Sequence, residues 1–291
     1  MKTLRIAALA AALIAAVSCS NDNGVSLTTY VDQRIGSGEH GHVFVGADVP
    51  FGMVNLGPTS IPQSWDWCSG YHSSDSTVIG FSHTHLSGTG IGDLFDVTLM
   101  PVVGDVVYSR GLGPADSSAA ALEEAYKSGL WSLADRTREV VRPGYYRVPL
   151  LRYGIDAEMT ATRRVGLSRY TFPASESSAV VIGLRNGGCW DSPVETGFVV
   201  VSDKVVEGFR FSKGWANDQK VFFYAEFSRP FDSFELKGDA DRFARASFRT
   251  SDGEQVLVKV ALSAVSAEGA RANMEAELPG WDFEATAKAA D

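Results

Sequence analysis

The chain has 291 residues, of which 45% are hydrophobic and 21% charged, and its formal net charge is −9. This composition is ordinary for a soluble globular protein with a sizeable core, and it excludes a disordered chain. The negative charge argues against nucleic acid as a partner, because binding to a polyphosphate depends on basic residues. Large β-sandwiches reach about 200 to 250 residues as one unit, so one main domain is expected.

The first residues have the pattern of a secretory signal. Lys2 and Arg5 give a positive start, and an unbroken apolar run follows from residue 6 to residue 17. Such a run is too short to span a bilayer and is typical of a cleaved export signal. The sequence therefore predicts a signal peptide over residues 1–18 and an exported protein.

The end of this segment also predicts a lipid anchor. Residues 16–19 read Ala-Val-Ser-Cys, which resembles a bacterial lipobox in which Cys19 becomes the lipidated first residue. The polar residues 19–26 suit a flexible tether to an outer-membrane lipid anchor, and the predicted location is the periplasm or the cell surface. Ordinary cleavage with a soluble product is the alternative.

All five histidines lie in a window dense in glycine between residues 40 and 85. They are His40, His42, His72, His83 and His85. The same window contains the run Trp65-Asp66-Trp67-Cys68. Frequent glycine indicates tightly turning loops, where binding residues are often found.

Three interpretations of this window remain open. The pairs at 40 and 42 and at 83 and 85 would each share one face of a strand, as metal ligands can, but no carboxylate stands at a familiar ligand spacing. The histidines can instead brace loops by hydrogen bonding. The third interpretation is a sugar site, in which Trp65 and Trp67 present flat apolar faces and Asp66 binds hydroxyl groups.

Core packing is the alternative for either tryptophan. Alternation along a strand would send Trp65 and Trp67 to opposite faces, so one of them is expected inside. The remaining cysteines, Cys68 and Cys189, are equally open to two interpretations: a disulfide in an oxidising compartment, or two buried thiols.

From about residue 95 the pattern is one of strands. Short apolar and β-branched runs are separated by Gly, Pro, Asp and Ser. The predicted strands are 96–100, 145–151, 155–162, 165–172, 179–184, 198–202, 205–211, 221–227 and 256–263. Nine such segments without intervening helical repeats predict an antiparallel β-sandwich rather than a parallel α/β sheet.

Two stretches have helical patterns instead. Residues 117–133 are rich in alanine with serine caps, and Asp282 is placed to cap a helix over residues 283–290. A helix of about two turns is marginal without a partner to pack on. We therefore interpret the ending at Asp291 as a truncation.

Several longer runs resemble one known family. They are VDQRIGSG at 31–38, HGHVFVGA at 40–47, PFGMV at 50–54, WDWCSGYH at 65–72, GFSHTHLSGTG at 80–90, PGYY at 143–146, TATRRVG at 160–166 and SAVSAEGARAN at 263–273. The chain resembles the amino-terminal domain of glycoside hydrolase family 92. The likeness departs from the family at 136–139, which reads Arg-Thr-Arg-Glu, and at Ser168.

This resemblance implies a calcium-dependent, inverting exo-α-mannosidase of two domains. The implied fold is a large antiparallel β-sandwich, a galactose-mutarotase-like supersandwich, over residues 27–270, with the start of a truncated helical linker at 271–291. The catalytic carboxylates and the calcium would lie in a carboxy-terminal (α/α)6 barrel, so no catalytic residue, metal ligand or cofactor is expected on this chain.

The resemblance also implies that the sandwich contributes loops to the pocket for a mannose-containing glycan. The residues expected to line one depression facing the barrel are Trp67, Asp66, His42 and His85, with Trp65 beside them. The other hypotheses are an autonomous glycan-binding lipoprotein and a metal hydrolase that uses the histidines.

Overall fold

The computed structural model describes residues 26–116, 118–185 and 190–291. The predicted signal peptide, almost all of the tether with Cys19, and Cys189 lie outside these residues. The chain divides into two units, Met1–Val31 and Asp32–Asp291. In the first unit the described residues contain a 3-10 turn, Leu27–Tyr30. The second unit contains the strands, the helices and the candidate site.

The strands are numbered along the described residues. The first nine are β1 (Ala47–Asp48), β2 (Asn55–Thr59), β3 (Thr77–Val78), β4 (Gly80–Ser82), β5 (Thr98–Val103), β6 (Ser132–Leu133), β7 (Val140–Arg142), β8 (Tyr145–Leu150) and β9 (Ile155–Ala161). The others are β10 (Val165–Phe172), β11 (Ser175–Gly183), β12 (Ser192–Val200), β13 (Val205–Lys213), β14 (Gln219–Phe227), β15 (Ser233–Lys237), β16 (Phe243–Thr250) and β17 (Glu254–Ser263).

Two large antiparallel sheets form a β-sandwich, as the sequence predicts. One has the order β1-β2-β4-β5-β11-β16-β15, the other β12-β13-β14-β17-β10-β9-β8-β7, and β3 pairs with β6 separately. Side chains of both sheets, among them Val180 and Val258, meet in one buried cluster. Each fully buried Val, Leu or Phe of this core contributes about 1.5 to 3 kcal/mol by leaving water.

Strand prediction succeeds where apolar residues alternate or run together. β10 has the predicted bounds, and β8, β9, β13, β14 and β17 differ by at most two residues at either end. β12 begins six residues earlier than predicted, because it is the edge strand of its sheet and its residues are mostly exposed, which leaves no apolar pattern to read. β1 to β4 were not predicted as strands, since they are short and rich in Gly and polar residues.

Three helices lie in the described residues: α1 (Ala119–Tyr126), α2 (Ala267–Glu277) and α3 (Phe283–Ala290). The predicted cap of α3 is confirmed, because Asp282 Oδ1 accepts from the amide of Ala285 at 2.9 Å. α1 is shorter than the predicted stretch 117–133. It is capped by Ser118.

The outer face of the eight-stranded sheet supplies the partner that α3 needs. Phe283 and Ala287 of α3 join Met274 of α2 in a buried cluster with Val165 and Leu167 of β10. The predicted boundary between sandwich and linker, after residue 270, falls inside α2. In the part of the chain that the structure describes, no helix is long and apolar enough to cross a membrane.

Candidate functional site

The run Trp65-Asp66-Trp67 forms a 3-10 turn rather than a strand. The amide of Trp67 donates to the carbonyl of Ser64, and the amide of Cys68 donates to that of Trp65, both at 3.1 Å. The two indoles therefore project from a tight turn, and the alternation of side chains along a strand does not apply to them. Asp66, between them, is directed toward the loop that contains His40 and His42.

Trp65 is the more exposed of the two indoles. Its side chain is 49% exposed, and its Nε1 donates to the carbonyl of Gly90 at 2.8 Å. A Cβ on Gly90 would lie 2.6 Å from the Trp65 ring, so only glycine lets the backbone approach this closely. The indole is thus held in place at one edge while a large apolar face meets solvent.

Trp67 is half-buried and tied to its own loop. It stacks on His72 with ring centroids 4.2 Å apart, and its Nε1 donates to Asp75 Oδ2 at 2.7 Å. Arg136 reinforces the same place by donating to the carbonyl of Asp75 at 2.7 Å, and it also pairs with Glu139. The stretch 136–139, where the family resemblance weakens, thus supports the loop that carries Trp67.

Asp66 lies between two histidines. Its Oδ1 is 2.6 Å from His40 Nδ1 and 3.5 Å from His42 Nε2. The hydrogen bond to Asp66 raises the pKa of His40 above its ordinary value, and the same bond from His40 lowers the pKa of Asp66. Asp66 is therefore a fixed, ionised acceptor at neutral pH, suited to accept hydrogen bonds from hydroxyl groups.

His42 connects this acceptor to Trp65. It is buried, with 4% exposure, and its ring meets Trp65 edge to face at 4.3 Å between centroids. The residue has a φ of 54°, which is uncommon for a side chain with a Cβ. Sequence reasoning left His40 out of the site, although it belongs to the same His-Gly-His motif.

His85 does not join this cluster at the surface. It is 4% exposed, its Nδ1 lies 2.8 Å from the carbonyl of Asn55, and its Nε2 lies 3.2 Å from Thr59 Oγ1. Because a carbonyl only accepts, Nδ1 carries the proton and Nε2 accepts from the threonine. Both nitrogens of His85 thus have partners inside the protein, and one depression shared with Trp67, Asp66 and His42 stays a prediction.

His83 is buried as well and has a similar role in the scaffold. Its Nδ1 donates to the carbonyl of Val97 at 2.6 Å, and its Nε2 is buried without a hydrogen-bond partner. Burial lowers the pKa of both His83 and His85 to about 4. These two rings are neutral at physiological pH and brace loops, which is one of the interpretations that the sequence left open.

A cavity of about 450 Å³ lies against Trp65. Its polar lining includes Gln63, Ser64 and Asp191, and a second tryptophan, Trp190, forms part of its wall. Trp190 is 50% exposed, and sequence reasoning did not single it out. The signal was present in the run Trp190-Asp191, a tryptophan next to a carboxylate, as in Trp65-Asp66.

A slightly larger cavity of about 540 Å³ lies beside α3 and is a weaker candidate. Its lining is largely apolar, and its two acids, Glu277 and Asp282, are already engaged, Asp282 as the cap of α3. One oxygen of Glu277 accepts from Thr162 Oγ1 at 2.6 Å and from the amide of Arg164 at 2.9 Å. The other oxygen accepts from the Arg164 side chain, which leaves little of the carboxylate for a ligand.

A metal centre has no counterpart in the described residues. Within 26–116, 118–185 and 190–291, no three His, Cys, Asp or Glu side chains are grouped so that they could hold a metal ion. Cys68 is buried at the end of the Trp65 turn. The question of a disulfide with Cys189 concerns a residue outside the described ones.

Comparison with known proteins places the chain among glycoside hydrolases. The sequence model of the Glycosyl hydrolase family 92 N-terminal domain matches residues 30–263. A protein named "Uncharacterized secreted glycosidase" from Arthroderma benhamiae is 26% identical over 293 residues, which cover 88% of this chain and 36% of that protein.

Solved structures agree in fold. A family GH92 alpha-mannosidase from Bacteroides thetaiotaomicron has a TM-score of 0.80 and 32% identity, covering 91% of this chain and 37% of that one. The complex of the same enzyme with mannoimidazole has a TM-score of 0.79 and 33% identity, and the match covers 91% of this chain and 36% of that one. A GH92 inverting mannosidase from the same organism has 22% identity and a TM-score of 0.73, and the match covers 93% of this chain and 36% of that one. At this identity the likeness shows the fold alone. The chain therefore spans little more than a third of these relatives.

Proposed function

The chain belongs to glycosyl hydrolase family 92, whose N-terminal domain it carries, and on that premise we propose that its Trp65 and Asp66 face binds mannose in mannose-containing glycans. The observation that carries the proposal is an exposed, fixed indole at the wall of a cavity, with the ionised acceptor Asp66 as the next residue in the chain. An indole face suits the C–H face of a pyranose, and a carboxylate suits its hydroxyl groups.

We propose that this face is one wall of an α-mannosidase pocket, and that a carboxy-terminal (α/α)6 barrel supplies the other wall. Inverting hydrolysis needs a protonated acid and a base about 6.5 to 9.5 Å apart. Asp66 is unsuited to be that acid, because its hydrogen bond to His40 lowers its pKa. In this proposal the acid, the base and any calcium belong to the barrel, while residues of this chain bind and orient the sugar.

The relatives support mannose as the sugar. The enzyme whose two structures give 32% and 33% identity is named an alpha-mannosidase, and one of these structures is a complex with mannoimidazole. Trp67, His42 and His85 serve this function at a distance from the ligand: Trp67 holds the loop at Asp75, His42 seats Trp65, and His85 braces the scaffold.

The test is binding of methyl α-mannoside to the full chain by calorimetry or ligand-observed NMR. We expect millimolar affinity, because few hydrogen bonds offset the immobilisation of the ligand. Trp65→Ala should weaken it about tenfold, the scale of one lost aromatic contact. Phe51→Ala removes another fully exposed aromatic outside the cavity and should change nothing. Equal affinity of wild type and Trp65→Ala contradicts the proposal.

Hydrolysis is a separate readout. We expect no release of mannose from α-mannosides by this chain alone, since the proposed acid and base belong to another domain. Turnover that disappears on a substitution within residues 26–291 would show that the chain carries its own catalytic groups, and the division of labour proposed above would be wrong.

We also propose export and lipid anchoring through Cys19. The charged start, the apolar run and the lipobox-like residues support it, and the fungal relative is named as secreted. Lipidation needs the cysteine thiol, so Cys19→Ala should move the protein from the membrane fraction to the soluble one. A variant that stays with the membrane fraction would contradict the anchor.

A further inference from the structure

A second aromatic depression adjoins the cavity at Trp65. It has a volume of about 530 Å³ and is lined by Ile91, Trp190, Lys213, Gly214 and Trp215, which we call the outer groove. Trp190 lines both depressions, so the two adjoin at this side chain. Trp215 is 74% exposed and Trp190 50%. Large indole faces left in solvent side by side are typical of binding surfaces.

Buried Asp93 holds Trp215 in position. The carboxylate is 2% exposed, and its Oδ2 accepts from the amides of Trp215 at 2.7 Å and Ala216 at 3.2 Å. Gly214 packs so closely that an added Cβ would lie 2.7 Å from Asp93 Oδ1. The loop that presents the most exposed tryptophan of this surface is thus anchored from beneath and has little freedom to collapse onto the protein.

A buried ion network holds Trp190 in the same way. The next residue, Asp191, pairs with the guanidinium of Arg210 and accepts from Ser212 Oγ at 2.8 Å. Arg210 is fully buried and also donates to Asp96 Oδ1 at 2.6 Å. Burial alone would lower the pKa of Arg210, but the two carboxylates raise it above its ordinary value. Arg210 therefore stays charged, while burial raises the pKa of its partner Asp191.

Both anchors meet in one strained segment. Asp93 and Asp96 flank Leu94 and Phe95, whose φ angles are 79° and 65°, and Val97 follows at 50°. A β-branched residue at positive φ is an outlier, and such strain persists only where the surroundings enforce it. The molecule thus maintains an unfavourable backbone at the place that fixes both tryptophans.

We propose that the outer groove binds a sugar residue beyond the terminal mannose, so that this face prefers mannose-containing oligosaccharides over the monosaccharide. This inference rests on the function proposed above. Two fixed indoles offer stacking faces, and Lys213 and the neighbouring Ser192 offer donors to hydroxyl groups. The chain is acidic, with a net charge of −9, which favours a neutral glycan over a polyanion.

The experiment compares methyl α-mannoside with a linear α-mannotriose on the full chain by calorimetry. We expect the triose to bind about tenfold more tightly than the monosaccharide, the scale of one additional aromatic contact. Trp190→Ala and Trp215→Ala should bring this ratio close to one. Trp215→Ala should leave the monosaccharide affinity unchanged, whereas Trp190→Ala should also weaken the monosaccharide, because Trp190 lines the cavity at Trp65 as well. Trp65→Ala should weaken both ligands, and Phe51→Ala neither. Unchanged unfolding temperatures show that the variants fold.

The outcomes separate this inference from the proposed function. If neither ligand binds, the proposed function fails and this inference fails with it. If the monosaccharide binds but the wild type shows no preference for the triose, or if both indole variants keep the preference, only the outer groove is refuted. A Trp215→Ala variant that keeps the preference but changes elution volume would identify the indoles as a contact between protein molecules, which also overturns the proposal.

Discussion

Two His-X-His pairs in the same glycine-rich window differ at one position: the first pair has one exposed ring, that of His40, and one buried ring, that of His42, while both rings of the second pair are buried. In the first pair, His40 is 75% exposed at its side chain and binds Asp66 beside an exposed indole. In the second, His83 and His85 are buried, and each donates to a backbone carbonyl. The motif is therefore not a unit of function. One copy orients a surface carboxylate and the other supports the scaffold.

The backbone around each pair explains the difference. The first pair lies in a loop with positive φ at Glu39 and His42. The second directly follows β4, in the middle of a sheet, where His83 donates its amide to the carbonyl of Asp96. Thr84, between the two buried rings, donates to Asp96 Oδ2, which links this pair to the Arg210 network.

The largest expected effect is a loss of stability in the buried network of Arg210, to which the second pair is linked. Arg210→Leu leaves Asp96 and Asp191 as buried carboxylates without their cation, so the free energy of unfolding should fall by about 3 to 5 kcal/mol. The matched control is Arg249→Leu, which removes an exposed pair with Glu176 and should cost less than about 1 kcal/mol. Urea unfolding measures both. Similar losses in the two variants would show that burial does not separate them.

Acid should destabilise the protein through the second pair. The pKa of His83 and His85 is about 4 in the folded protein against an ordinary 6.5. The unfolded chain therefore takes up protons first, and stability falls as pH drops from 6.5 to 4, by about 3 kcal/mol for each ring. Above pH 7 these rings should contribute no pH dependence.

His83→Asn is the variant that sharpens this test, because its amide can keep the donation to Val97. The slope of unfolding free energy between pH 6.5 and 4 should decrease by about half, since one of two rings no longer titrates. His40→Ala should keep the wild-type slope. An unchanged slope in His83→Asn would mean that other groups cause the loss.

The smallest expected effect concerns the exposed ring of His40 and the binding of the sugar beside it. His40→Ala should leave the unfolding midpoint unchanged, because the ring lies in solvent. It should weaken methyl α-mannoside binding about threefold, since Asp66 loses the partner that orients it. Without that bond the pKa of Asp66 returns toward its ordinary value, so binding should be lost at a higher pH on acidification. Glu39→Gln in the same loop is the control, and equal affinities of His40→Ala and wild type would contradict this role.

The comparison also shows what sequence patterns can predict. β10 and the cap at Asp282 follow from local rules, apolar runs and capping chemistry, and both were predicted. β13 shows where such rules stop. Its phenylalanines Phe209 and Phe211 lie on the half-buried outer face, while Arg210 between them points into the interior. Hydrophobic alternation alone would place these side chains the other way round.

The site was only partly predictable for the same reason. The Trp65 turn was found because its residue types are chemically distinctive. Trp215 was missed, because an isolated tryptophan in a sequence is as consistent with a core as with a surface. Trp190 was missed although Asp191 follows it, as Asp66 follows Trp65. Leu94 and Val97 gave no signal at all, since nothing in their side chains favours the positive φ that the fold imposes on them.

The links beneath the outer groove have a kinetic consequence. Arg210 and Asp96 are 114 residues apart in the chain, and Trp215 and Asp93 are 122 apart. Contacts so distant in sequence form only after long loops have closed, and loop closure costs conformational entropy before the contacts stabilise the protein. Topologies dominated by such contacts fold in milliseconds to seconds. The aromatic surface should therefore mature late in refolding, after the hairpin β13–β14, and a slow phase of indole fluorescence should disappear in Trp215→Phe.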